Sequence, residues 1–97
     1  MAIESQEESF LLPRFRKLVS SKSLFVGKEL MRSLQGHSNP MGKITDVELT
    51  DDGQSLIIET EQAGGGIVLL VSECLSATVD EEEGHFSIGS RFGEFSA

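Results

Sequence analysis

Closely spaced turn signals are the feature of this sequence that most restricts its fold. After residue 34 they fall at 35–42 (QGHSNPMG), 51–54 (DDGQ), 62–66 (QAGGG) and 80–84 (DEEEG). The segments between them are short and either alternate apolar with polar residues or are continuously apolar, as strands do. A spacing of about ten residues predicts a mostly β domain of five or six short strands, arranged as a small barrel or a sandwich.

The strand predictions follow from these patterns. Val47 and Leu49 alternate with Asp46 and Glu48, which predicts a half-buried strand. The continuous apolar run at 67–71 predicts the most buried strand. We predict strands at 44–50, 55–61, 67–71, 77–79 and 85–88, a further strand pair around Gly27 within 24–31, and a loop at 35–42.

The N-terminal segment is the one candidate for a helix. Apolar residues from Leu11 to Val19 recur at three- and four-residue intervals, and Phe15 belongs to two alternative stripes. This predicts a short amphipathic helix from about residue 12 to residue 20. Pro13 fits its first turn, where a missing N–H is tolerated. The alternative is an irregular arm that leads into the first strand.

A length of 97 residues fits a single domain with a thin core. The polar N-terminus carries three glutamates within its first nine residues, which suggests a frayed end. The expected divisions are a disordered tail (1–9), a basic amphipathic helix or arm (10–23), a small β-barrel domain (24–90) and a second tail (91–97).

Charge is distributed unevenly along this acidic protein. The net charge of −8 argues against nucleic acid as the ligand of the whole surface. Residues 1–43 hold seven of the eight basic residues and net +3, whereas residues 44–97 net −11. This split predicts a basic arm beside an acidic body.

Cys74 is the single cysteine, so no disulfide can form within the chain. No apolar run approaches the roughly 18 residues that a membrane span needs. The first nine residues are polar and acidic, unlike a secretory signal. Together these features predict a cytoplasmic protein.

No residue pattern points to catalysis. His37 and His85 lack the spacing of metal ligands or of acid–base partners. Cys74 follows Glu73 and lacks a basic neighbour, so we expect a small buried side chain. The acidic stretch 80–83 lacks an EF-hand pattern, and no lysine follows Gly64–Gly66 as a phosphate loop requires. We therefore predict no enzyme activity, no metal and no cofactor.

Four segments resemble the PRC-barrel family. Residues 24–30 (LFVGKEL) look like its opening, and 42–47 (GKITDV) is similar to its Gly-Lys-apolar-x-Asp-apolar signature. Residues 69–71 (LLV) stand where the family has an apolar segment before a proline. Residues 78–88 (TVDEEEGHFSI) are similar to the end of the barrel in RimM-type ribosome maturation factors. The resemblance covers roughly residues 24–90.

The resemblance implies a small barrel that acts as an adaptor for other proteins, without shared catalytic residues. The sequence departs from the family pattern in a longer loop before Gly42 and in Ser72, which replaces the expected proline. Nothing corresponds to the separate N-terminal domain of the RimM type. These departures weaken a ribosomal role more than they weaken the barrel.

The leading hypothesis is a protein-binding adaptor or assembly module. Binding is expected through the basic amphipathic segment or through the loops 35–42 and 62–66; the candidate residues are Arg14, Phe15, Arg16, Lys17, Leu18, His37 and Asn39. The basic segment can instead pack on the protein's own acidic barrel, or lie on a membrane surface or RNA phosphates. Alternative functions are a ribosome- or RNA-associated assembly factor and a structural subunit of a homo-oligomer or larger particle.

Overall fold

One N-terminal helix and seven antiparallel strands make up the described part of the chain. The computed structural model describes residues 2–62 and 66–97, and the side chains of residues 11–62 and 66–97. Helix α1 covers Ala2–Ser20, and two one-turn 3-10 helices cover Lys22–Leu24 and Val71–Glu73. The strands are β1 (Glu29–Leu34), β2 (His37–Leu49), β3 (Ser55–Thr60), β4 (Ile67–Leu70), β5 (Cys74–Asp80), β6 (His85–Ser90) and β7 (Gly93–Ser96).

The strands form one curled sheet in the order β4-β3-β2-β1-β7-β6-β5. The two edge strands, β4 and β5, follow each other in the chain with only the Val71–Glu73 turn between them. Because so short a connection brings both edges of the sheet to one corner, the sheet curls into a half-barrel.

The core fills the concave side of the sheet, and α1 closes it. The helix contacts β5, β2 and the Val71–Glu73 turn. Its buried residues are Leu11, Phe15 and Leu18, one of the two stripes that the spacing predicts. Phe25 and Phe86 meet edge to face within the core, with ring centroids 5.0 Å apart and planes at 89°, an arrangement that aromatic pairs favour.

The prediction of a mostly β fold with one helix is confirmed, but the predicted count of five or six strands is wrong. One reason is the segment 35–42, which is not a loop. Gln35 and Gly36 alone form the turn, with φ of 53° and 84°, and Leu34 pairs directly with His37. Two positive φ values are typical of the tight turn that matches the twist of a hairpin.

Pro40 lies inside β2 without loss of a hydrogen bond. In a two-residue hairpin the closing pair Leu34–His37 is hydrogen-bonded, so the pair Met31–Pro40 is not. The Pro40 nitrogen therefore faces away from β1, a position that proline tolerates. Turn-forming residues at 38–42 thus belong to a strand.

The second reason for the wrong count is the segment 91–97, which the sequence predicts as a tail. Residues 93–96 form β7 between β1 and β6, in the middle of the sheet, and Phe95 is buried in the core. Gly93 has a φ of 121°, and a Cβ there would lie 2.9 Å from the Ser33 carbonyl oxygen. Glycine therefore permits β7 to begin against β1.

Two other boundaries differ from the predictions. Residues 24–31 do not form a strand pair: a 3-10 turn ends at Leu24, and β1 begins at Glu29. Gly27 does mark a bend, with a φ of 95° and its N–H donated to the Ile44 carbonyl at 2.8 Å. Helix α1 runs from Ala2, so it includes residues 2–9 as well as the segment 12–20. Of the predicted turn at 62–66, residues 63–65 lie outside the described residues.

Candidate functional site

The predicted binding residues of α1 divide into two groups. Phe15 and Leu18 are fully buried, so a partner cannot reach them while the fold is intact. Arg14, Arg16 and Lys17 are exposed. The apolar face of the helix thus packs on the protein's own sheet, which is one of the arrangements that the sequence left open.

Arg14 and Lys17 connect α1 to β5 and to the acidic turn after it. Arg14 Nη1 donates a hydrogen bond to the Ala77 carbonyl oxygen at 2.7 Å. Lys17 Nζ lies 3.7 Å from Glu81 Oε1, and the Ser21 hydroxyl donates to the same carboxylate. The basic and acidic halves of the sequence therefore meet within this molecule, although an exposed pair such as Lys17–Glu81 stabilises a fold only slightly.

A second ion pair fastens the segment after α1 to β2. Lys22 Nζ donates to Asp46 Oδ1 at 2.8 Å, and the Val47 N–H donates to the same oxygen at 2.9 Å. The Lys22 hydrogen bond is the main cause that lowers the pKa of the Asp46 carboxyl, and the same bond raises the pKa of Lys22. This pair is structural, since both groups are satisfied by each other.

His37 and Asn39 lie far along β2 from these contacts, at the β1–β2 hairpin end. Both are exposed, and Asn39 pairs with Arg32 across the hairpin. Among the described residues, no hydrogen bond or ion pair joins either of them to Arg14, Arg16 or Lys17. The predicted site is therefore not one surface: its helical part and its hairpin part are separate.

The tip of the neighbouring β6–β7 hairpin lies beside this hairpin end. The Arg32 guanidinium donates to the Phe92 carbonyl oxygen from Nε at 3.3 Å and from Nη2 at 3.0 Å. Phe92 and Leu34 are both about half exposed. The register of β1 with β7, in which Ser33 pairs with Glu94, brings these two apolar side chains to the same end of the sheet.

The corner where β4 leads into β5 carries strongly exposed apolar strand residues. The prediction that this strand is the most buried is wrong, because β4 is an edge strand with alternating exposure. Leu69 faces the core, whereas Val68 and Leu70 are 65% and 46% exposed. Leu75 of β5 is 70% exposed. It lies near the end of β4, because the Sγ atom of the preceding residue, Cys74, is 3.5 Å from the Leu70 carbonyl oxygen.

Acidic residues lie on the outer face of the two strands that follow β4 in the sheet. On β3, Ile57 pairs with Val68 and is half-buried, and on β2 Glu48 pairs with Ile57. Glu59 is exposed on the same face of β3, two positions along. We call Val68, Leu70 and Leu75 the β4 corner. Its signal in the sequence is the apolar run 67–71, which alone does not separate an edge strand from a central one.

The described residues offer little reactive chemistry. Burial and the neighbouring Glu73 raise the pKa of Cys74 to about 11, so its thiol is protonated and a poor nucleophile at neutral pH. Among the described residues, no group of three or more His, Cys, Asp and Glu side chains is placed to hold a metal ion. Thr60 Oγ1 is buried without a hydrogen-bond partner, next to Gly42.

Comparison with known proteins finds no family model that matches the sequence and no curated protein or solved structure that is significantly similar. Within the described part of the chain, α1 is not apolar enough to span a bilayer. The site is therefore interpreted from its own geometry.

Proposed function

We propose that this protein is a non-enzymatic protein-binding adaptor or assembly module that presents the β4 corner to another protein. The observation that carries the proposal is the exposure of three large apolar side chains, Val68, Leu70 and Leu75, at one corner of an acidic surface. An exposed apolar patch with a polar rim is typical of a surface that binds proteins.

The remaining predicted residues extend this surface only in part. Arg16, His37 and Asn39 are exposed and stay candidates for partner contact. Arg14 and Lys17 bind β5 and its turn, so a partner would have to compete with those contacts. An adaptor role also agrees with the PRC-barrel resemblance of residues 24–90, whose members act as binding modules.

The proposal is tested by capture from native lysate, with and without nuclease, followed by mass spectrometry. The bait is the tagged chain and a double variant, Val68→Lys plus Leu75→Lys. The matched control is Leu34→Lys plus Phe92→Lys, which places the same charges on two other large apolar side chains that are about half exposed, at the β1–β2 hairpin end. Circular dichroism shows that each variant is folded.

A discrete protein that survives nuclease, is lost with the β4-corner variant and is kept with the control supports the proposal. Ribosomal proteins that disappear on nuclease treatment favour an RNA-associated assembly factor instead. If the bait captures only further copies of the same chain, the result favours a structural subunit. Either of these two results overturns the proposal.

A further inference from the structure

The outer edge of β4 has free backbone groups in a defined register. The Val71 N–H donates to the Gln54 carbonyl at 2.8 Å, so the pairs Leu56–Leu69 and Ile58–Ile67 are also hydrogen-bonded. The backbone groups of Val68 and Leu70 therefore point away from β3. The Leu70 carbonyl oxygen is the N-cap acceptor of the Val71–Glu73 turn and lies 3.5 Å from Cys74 Sγ. Among the described residues, the outward groups without a contact are therefore the N–H and carbonyl of Val68 and the N–H of Leu70.

The opposite edge of the sheet is covered, which makes the β4 edge distinctive. Helix α1 packs along β5, and Arg14 donates to the outward Ala77 carbonyl. Natural proteins protect sheet edges in this way, or with charges and proline on the strand. β4 has the sequence Ile67-Val68-Leu69-Leu70, without a charge or a proline.

The charge around β4 indicates what kind of strand fits beside it. Glu48 and Glu59 lie on the same outer face as Val68, and residues 44–97 net −11. A second copy paired edge to edge would bring together two surfaces of the same net charge, which repel each other. A basic partner would instead gain from complementary charge.

We propose that the β4 edge binds an extended peptide segment of a basic partner protein as an eighth strand, with Val68 and Leu70 contacting alternate apolar side chains of the peptide. Strand addition supplies main-chain hydrogen bonds, and alternate side chains give specificity. Basic side chains on the same face of the peptide extend across β4 toward Glu59 on β3. This inference specifies the partner chemistry of the protein-binding function proposed above and rests on it.

The test uses the full chain and a synthetic peptide in which every second residue is alternately lysine and valine, acetyl-KTVTKTVTK-amide, so that both kinds of side chain lie on the same face as Val68. Titration is followed by amide NMR shifts and by hydrogen exchange. The Val68 and Leu70 N–H groups are expected to become protected from exchange, because they point to the free edge. The apparent Kd is expected to rise with salt concentration. A peptide with glutamate in place of lysine is expected to bind at least about tenfold more weakly.

Two variants locate the site. Val68→Pro removes an outward N–H without breaking a bond to β3, and Leu70→Lys adds a charge where the peptide's lysines approach. Each is expected to weaken peptide binding at least about tenfold. Leu34→Lys is the matched control, because Leu34 is 45% exposed against 46% for Leu70 and the added charge is the same. It is expected to bind like the unmodified chain.

Three results overturn the inference. The first is peptide-induced NMR shifts that map away from β4, and the second is that Val68→Pro and Leu70→Lys bind the peptide as tightly as the unmodified chain does. The third is that the Val68 N–H becomes protected from hydrogen exchange when the protein concentration is raised without peptide. The last result assigns the edge to a second copy. Capture from lysate separates the two proposals. A partner retained by Val68→Pro shows that the protein-binding function holds although the β4 edge does not provide it.

Discussion

At the scale of single residues, Phe15 shows how burial decides between binding and structure. Its side chain lies in the core, while Arg16 beside it is exposed. We expect Phe15→Ala to lower the free energy of unfolding by about 3–5 kcal/mol, because it leaves a cavity. Arg16→Ala is the control and is expected to change it by less than about 0.5 kcal/mol. Chemical denaturation measures both values.

The contrary result for Phe15 is specific. If Phe15→Ala unfolds like the unmodified chain and yet loses a captured partner, the side chain is a docking residue and the helix leaves the core when it binds.

Asp46 gives a pH dependence with a definite sign. The Lys22 hydrogen bond lowers the pKa of the folded-state carboxyl. Its stabilisation is therefore fully present above the unfolded-state pKa of about 3.9 and is lost as pH falls through the lower folded-state value. We expect Asp46→Asn to lower the melting temperature at pH 7, and the difference from the unmodified chain to vanish in strong acid.

A double-mutant cycle attributes this effect to the pair. Once Lys22 is replaced by glutamine, Asp46→Asn is expected to have a smaller effect at pH 7, because its main partner is gone. An undiminished effect would mean that the Val47 N–H, not Lys22, holds the carboxylate.

At the scale of elements, the Gln35–Gly36 turn determines the β1–β2 hairpin. Gln35 has a φ of 53°, which asparagine adopts more readily than glutamine. We expect Gln35→Asn to raise the melting temperature by a few degrees, consistent with a gain of about 0.5 kcal/mol. Gln54→Asn, in the β2–β3 turn at a residue without positive φ, is the control and is expected to give no gain. Equal effects would show that the φ of Gln35 is not limiting.

Arg14 tests whether α1 protects the β5 edge. Its bond to the Ala77 carbonyl fills an edge position that another strand would otherwise use. We expect Arg14→Met to increase concentration-dependent self-association in sedimentation experiments, whereas Arg16→Met, with the same loss of charge, is expected not to. Self-association in both variants would assign the effect to net charge alone.

The sequence predicts elements well where local pattern and local turn chemistry agree. Strand β3, the end of β2 at Leu49 and the intervening Asp52-Gly53 turn lie nearly where they are predicted, because alternation and turn type are properties of neighbouring residues. The position of β4 at the edge and of β7 at the centre depends on which strands meet across the sheet. Residues 93–96 contain only one buried apolar side chain, Phe95, so their pattern carries no strand signal.

The candidate site was predictable to a similar degree. The sequence identifies Arg14 and Lys17 as basic residues on a helix, but the carbonyl and carboxylate that they contact come from residues about sixty positions away. The exposed corner at Val68 and Leu70 is equally non-local, because exposure there follows from the strand order. A continuous apolar run such as 67–71 therefore does not predict a buried strand when that strand lies at the edge of the sheet.

At the scale of the whole molecule, the charge asymmetry describes how the chain folds on itself. Arg14, Lys17 and Lys22 from the basic N-terminal part contact β5, its turn and β2. Their partners include Glu81 and Asp46 of the acidic part. The halves complement each other, and Lys22 also interacts electrostatically with Glu48. Glu59, next to β4, has no basic partner among the described residues. This leaves the acidic sheet face, not the helix, as the surface whose charge a partner would complement.

The same contacts make α1 part of the domain rather than an appended arm. Leu11, Phe15 and Leu18 are buried against the sheet, and burial of each such side chain is worth about 1.5–3 kcal/mol. Their sum is comparable with the total stability of a small domain, about 5–15 kcal/mol.

We expect NMR and circular dichroism to show that a chain of residues 21–97 is unfolded. A deletion of residues 2–9 alone is the control, because it keeps all three buried side chains and leaves Pro13 near the new helix start, and we expect it to fold. A peptide of residues 2–22 added to the fragment is expected to restore dispersed amide signals. If the fragment folds alone, the barrel is an independent domain, and α1 regains the role of a detachable binding helix.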